Sequence, residues 1–201
     1  MGFSSKGSTY YYIKNDIAFC LSFEKLTGLL YSTFYVMPLY IPCEHMYFTY
    51  GNRLNELPNS SVEILHESAS DQEINVWFDN LLDILEKIIL PFFQSISSPL
   101  QLLHFVNHHR SVVNTLFFCP KDQLERLRVF TYLYLNDFSN LKPEIKRAYV
   151  SLSCADFYTD ELKNKWRSEL SRIESYLSDS SFCCSKFCAE TIEQTMRSCF
   201  G

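Results

Sequence analysis

Ile17-Ala18-Phe19-Cys20-Leu21-Ser22-Phe23 alternates large apolar side chains with small ones without interruption. Successive side chains on an extended strand point to opposite faces, so Ile17, Phe19, Leu21 and Phe23 form one continuous apolar face. Upstream, Tyr10 to Lys14 is an aromatic, β-favouring run, and Lys14-Asn15-Asp16 reads as the short turn joining it to that strand. A third strand is expected over Phe34 to Ile41, with Tyr35, Met37, Leu39 and Ile41 on one face. Pro38 lacks the N–H that a ladder needs, which pushes this strand, or one side of it, towards a sheet edge. A fourth, Met46 to Tyr50, runs into Gly51-Asn52, a turn or bulge signal. Four short sequential strands make an antiparallel meander.

Around Asn59 the apolar period lengthens. Ile74, Trp77, Phe78, Leu81, Leu82, Leu85, Ile88 and Ile89 recur at helical spacing, a broad stripe on one long helix. Ser70 and Glu73 have the spacing of a capping box at its start, and Pro91 is expected to stop it. A second helix opens at Ser98-Pro99-Leu100-Gln101, with a serine cap and proline at the first helical position. Further stripes follow in Leu124, Leu127, Thr131 and Leu135, then in Leu141, Ile145, Ala148 and Leu152. After a Thr159 cap come Leu162, Trp166, Leu170, Ile173 and Leu177, and last Cys188, Ile192, Met196 and Cys199. Strands first and helices afterwards is the α+β order. The expected architecture is a four-stranded antiparallel sheet followed by about five or six helices. Residues 1–95 would hold the sheet and its long packing helix, and residues 96–201 a helical extension packed on them as one unit.

A chain of 201 residues with 47% hydrophobic and 16% aromatic residues has ample apolar surface for a core. Its net charge of -5 argues against nucleic acid as a main ligand. The nearest basic cluster, Lys142, Lys146 and Arg147 beside Glu144, reads as a solvated helix face. The run Ile88 to Phe93 is too short to span a bilayer, and no apolar leader is visible, so a cytoplasmic location without membrane contact is expected. Met1-Gly2 hints at myristoylation, but Lys6 stands where that motif wants Ser or Thr.

The eight cysteines suggest a framework. A reducing compartment disfavours disulfides, and Cys183, Cys184 and Cys188 are the only cluster, with no second pair to complete a zinc set. Cys184, Cys188 and Cys199 lie on or beside the last stripe, where free cysteine serves as a small hydrophobe. His104 and His108 stand at i, i+4, on one helix face at metal-ligand spacing, with His109 adjacent. Two imidazoles make half a site, so a polar helix face with one histidine packed inward is the first reading and a metal or general-base role the alternative. His66-Glu67 lacks the second histidine of a zinc-protease helix. Cys43-Glu44-His45 are adjacent on an extended chain, where side chains point apart. With five glycines there is no phosphate-cradling loop, and no nucleophile elbow occurs.

One resemblance stands on Gly2, Phe3, Lys6, Gly7, Ser8, Thr9 and Tyr10, then Ile41-Pro42, then Arg53, Leu54 and Leu57, then Trp77 to Phe93. In these the first half of the chain resembles the bacterial domain-of-unknown-function family 4304. The resemblance implies a small accessory or binding protein, of the kind linked to toxin–immunity systems, and lends no catalytic residue. It also implies a helix before the Gly-Phe step, which this sequence does not supply.

The function expected is therefore a non-enzymatic interaction module, docking a protein partner or a second copy, with no cofactor. The alternative is a small metal-dependent hydrolase built around His104 and His108. The expected partner surface is the sheet near Tyr10 and Tyr12, together with Tyr35 and Tyr40, because tyrosine buries ring area while keeping its hydroxyl satisfied. The competing arrangement has the C-terminal helices folding back over that same face.

Overall fold

A computed structural model describes residues 2–44, 50–109, 121–154, 159–179 and 181–201. It is an α+β protein, with the sheet in the N-terminal part and the helices after it. Strands β1 (Ser4–Lys6), β2 (Thr9–Lys14), β3 (Ile17–Leu26), β4 (Leu29–Pro38) and β5 (Tyr50–Arg53) follow one another as an antiparallel meander in the order β1-β2-β3-β4-β5. A two-residue strand, β6 (Leu65–His66), pairs with the start of β4.

Three two-residue turns fix the register. Asn15 and Asp16 join Lys14 to its partner Ile17 with φ of 52° and 59°, the double left-handed geometry of a type I′ hairpin. Thr27 and Gly28 repeat it between Leu26 and Leu29, at φ 49° and 80°. Gly7 takes φ 58° between Lys6 and Thr9. The sheet thus gains β1 and β6 over the expected four strands, and β4 begins five residues earlier than the sequence suggested. Of the expected strand Met46 to Tyr50, only Tyr50 lies within the described residues, at the start of β5. Pro38 does not make β4 an edge. It sits at the end of β4, opposite Ile17 of β3 and, among the described residues, beyond the last pairing with β5 at Val36.

Both faces of the sheet are covered. Ile17, Phe19, Phe34 and Val36 enter the main core with residues of every helix. The opposite face, carrying Ala18, Cys20, Tyr35 and Met37, forms a second cluster under the last helix, α7 (Cys184–Phe200). Small side chains at Ala18 and Cys20 let α7 lie close. Leu39 keeps the expected face, but Ile41 crosses to the main core because the chain leaves the strand after Pro38.

The long helix begins as expected. Ser70 accepts from the Glu73 N–H while the Glu73 carboxylate accepts from Ser70, closing the capping box of α1 (Asp71–Ile84). Pro91 does not stop it. Leu85–Ile89 widens into a π turn, and α2 (Leu90–Ser95) continues with Pro91 at its start. The wider turn accommodates the missing donor and the bulk of the proline ring. Then come α3 (Pro99–His109), α4 (Lys121–Tyr134), α5 (Phe138–Cys154) and α6 (Asp160–Ser178). Thr159 caps α6 as expected. The stripe of α5 is buried throughout; Leu135 and Leu162, expected to be core, are exposed. One core joins residues 1–95 to the helices beyond them. Among the described residues no helix is long and apolar enough to cross a membrane.

Candidate functional site

The segment after β5 has neither strand nor helix periodicity, and it builds one wall of a surface groove. Val62 is buried, and β6 binds the segment to β4 at Leu29 and Leu30. Two α1 side chains then tie it across: Trp77 Nε1 donates to the Glu63 carbonyl at 2.8 Å, and Asn80 Nδ2 donates to the Ser61 carbonyl at 2.9 Å. Between segment and helix lies a groove of about 460 Å³, open along one side. That volume is within the range of roughly 300–1,000 Å³ in which small ligands and peptide side chains are held.

The lining is apolar with acidic walls. Ile64, Leu65, Val76 and Trp77 supply the apolar surface, and Val76 is 54% exposed. Glu63 and Glu73 stand beside them, and among the described residues no Lys or Arg lines the groove. Ser70, first through its backbone N–H and then through its hydroxyl, holds the Glu73 carboxyl below the usual carboxylate range, so its negative charge is secure near neutral pH. His66 also lines the groove, with Nδ1 2.8 Å from the Ser68 hydroxyl.

An aromatic path leads out of the groove to the sheet. Trp77 meets Phe23 edge-on at 6.2 Å, and Phe23 meets Tyr10 at 6.0 Å. Tyr10 is 48% exposed and is the only open residue of the four expected to form a partner surface. The other three need correction. Tyr35 lies under α7, Tyr40 donates to or accepts from Thr131 of α4 at 3.1 Å, and Tyr12 stacks on Phe19 at 4.8 Å. The chain's own helices cover them. Trp77 packs on the Phe23 side of β3 as expected, whereas Phe78 is half exposed.

His104 and His108 both lie on the exposed side of α3, opposite buried Leu102, Leu103 and Val106. Among the described residues no group of three or more His, Cys, Asp or Glu is placed to hold a metal ion. Cys184, Cys188 and Cys199 are buried as the stripe implied, and Cys183 is exposed. Arg147 pairs with Glu144 at 2.7 Å, so that basic face is partly neutralised. His45, the base of the Cys43-Glu44-His45 run, falls outside the described residues.

No family model, curated protein or solved structure matches the chain. The resemblance to family 4304 therefore rests on the quoted residues of the first half alone.

Proposed function

We propose that the protein is a non-enzymatic binding module whose groove between residues 61–69 and α1 takes a basic, apolar-anchored peptide segment of a protein partner. The observation that carries this reading is the lining: exposed Ile64 and Val76 beside the Trp77 indole, flanked by Glu63 and Glu73, with no Lys or Arg among the described lining residues. An apolar side chain of the partner would cover Val76 and Ile64, and a neighbouring Lys or Arg would face the carboxylates. Complementary charge of this kind sets on-rate and selectivity more than raw affinity. The acidic balance of the whole chain supports the same partner chemistry.

The test uses synthetic peptides in which one central Leu or Phe is flanked by two lysines on each side, with charge-reversed glutamate versions as controls. Trp77 is one of two tryptophans, so its fluorescence reports directly on groove occupancy. A saturable shift with the lysine peptides, weakened by salt and lost in Val76→Asp, is expected. Equal response to both peptide sets, or none to either, overturns the reading. Elemental analysis that found about one zinc per chain would instead favour the hydrolase built on His104 and His108.

A further inference from the structure

Beneath the end of α7 three thiols approach one another around Tyr35. Cys20 and Cys199 are fully buried in the second core cluster, and Cys43, in the segment after β4, packs against it half-buried. The Cys199 thiol is aimed at the Cys43 backbone, with Sγ 3.9 Å from the Cys43 carbonyl oxygen. The two residues are separated by 156 positions and lie in different elements. Cys184 and Cys188, the other neighbouring thiols, lie one turn apart on a single helix, so joining them would tie nothing together.

We propose that Cys43 and Cys199 are a dithiol modification site, which a small disulfide oxidant of the glutathione class converts to an intramolecular disulfide clamping α7 onto the segment after β4. Access decides the order of events. Cys43 is the half-exposed member and meets the oxidant first; its thiolate attacks one sulfur of the oxidised glutathione, forming a mixed disulfide and releasing one glutathione thiolate. Cys199 is shielded, and its hydrogen bond to Cys43, with burial, keeps its proton on in the resting state. Once Cys43 is capped, the Cys199 sulfur attacks the Cys43 sulfur, the second glutathione leaves, and the Cys199 proton goes to it. The two protein thiols are oxidised by two electrons, and one oxidised glutathione becomes two reduced ones.

The consequence lies in what α7 covers. Tyr11 packs at a tilt against Phe200 at 4.4 Å, and Thr195 donates to the Ile41 carbonyl at 3.4 Å, so the last turns of α7 seal the Ala18, Cys20 and Tyr35 face. A cross-link at Cys199 would hold that seal covalently and remove a very long loop from the unfolded ensemble.

The experiment treats the folded, fully reduced full chain with oxidised glutathione, blocks remaining thiols by alkylation, and maps the pairing from a non-reducing digest. A loss of two hydrogens in the intact mass and a Cys43–Cys199 cross-linked peptide are expected, with the melting midpoint raised by at least about 5 °C. In Cys199→Ala the mixed disulfide on Cys43 should persist, and in Cys43→Ser Cys199 should remain alkylatable only after unfolding. The wild-type map alone decides the matter if either variant misfolds. Cross-links confined to other cysteines, or a glutathione adduct on Cys43 that persists in the wild type, refute the site.

Discussion

Truncating Trp77 to alanine removes an indole that is 5% exposed and contacts Phe23 and Phe78 edge-on. Deleting a buried aromatic costs about 3–5 kcal/mol, from lost transfer energy and the cavity left behind. The indole also donates to the Glu63 carbonyl, a bond worth roughly 0.5–1.5 kcal/mol net. Because that carbonyl borders the open groove, water can replace the donor, so the lower half of that range applies. We expect a total near 4 kcal/mol for Trp77→Ala. Trp77→Phe keeps a ring against Phe23 but loses the donor and part of the area, and should cost about 1–2 kcal/mol. Phe78→Ala is the internal control: the next residue, equally aromatic but 51% exposed, should cost below about 1 kcal/mol. Urea unfolding followed by far-ultraviolet circular dichroism measures all three without relying on the tryptophan being removed. A Trp77→Ala cost below about 1 kcal/mol, or one matched by Phe78→Ala, would mean that α1 does not pack on β3 as described.

Gly51→Ala should be severe, because a Cβ there would lie 2.0 Å from the Phe34 carbonyl oxygen and 2.6 Å from the Tyr35 Cα, both backbone of the paired strand. A loss of at least about 3 kcal/mol in denaturant is expected, and a neutral outcome would show that β5 is not paired there. Burial and the hydrogen bond to Asp16 push Tyr134 up to about 12, and burial does the same for Cys20. These folded-state values lie above the ordinary 10.0 and 9.0, so the folded protein holds protons that the unfolded chain releases. Stability is therefore fully present below pH 9 and falls as pH rises towards 12; Tyr134→Phe should flatten the upper part of that decline in a pH series of melting curves. Arg126 meets Glu169 at 3.2 Å with both side chains only 15% exposed, and it also donates to the Pro42 carbonyl. Glu169→Gln should cost about 2 kcal/mol by leaving that cation under-compensated, and a silent substitution would reduce the pair to a surface contact.

The elements that could be read from the sequence are those specified by neighbours. Ser70 with Glu73, Thr159 with the N–H of Leu162, and the Asn15-Asp16 turn each complete their hydrogen bonding or backbone geometry within a few residues. The α5 stripe of Leu141, Ile145, Ala148 and Leu152 likewise needs only helical spacing to be buried. Pro91 misled because its rule assumes a regular α-helix, while a π turn absorbs the same residue without ending the helix. The exposure of His104 and His108 was legible in principle: Leu102, Leu103 and Val106 claim the buried side of α3. What local pattern does not carry is the cover over Ala18 and Cys20. That face is closed by residues more than 150 positions away, through contacts such as Thr195 to Ile41. The same long-range cover puts Tyr35 under α7 and not on an open surface.

No sequence motif signals the groove, because it arises from a difference in length. Besides buried Val62, residues 61–66 reach α1 through two side-chain donors, Trp77 and Asn80. A segment hung from a helix by an indole and an amide stands off by the length of those groups. Meanwhile β6 holds its far side to β4, so it cannot settle into the space. Ile64 and Val76, which closer packing would have buried against each other, are left 37% and 54% exposed across the opening. Each exposed apolar residue alone is unremarkable on a protein surface. Two of them facing a common cleft beside ionised Glu73, with the main core already filled by other side chains, form a surface that folding leaves incomplete. In the binding reading proposed above, a partner's apolar side chain would complete it, and the carboxylates on the rim would suit a partner that carries positive charge.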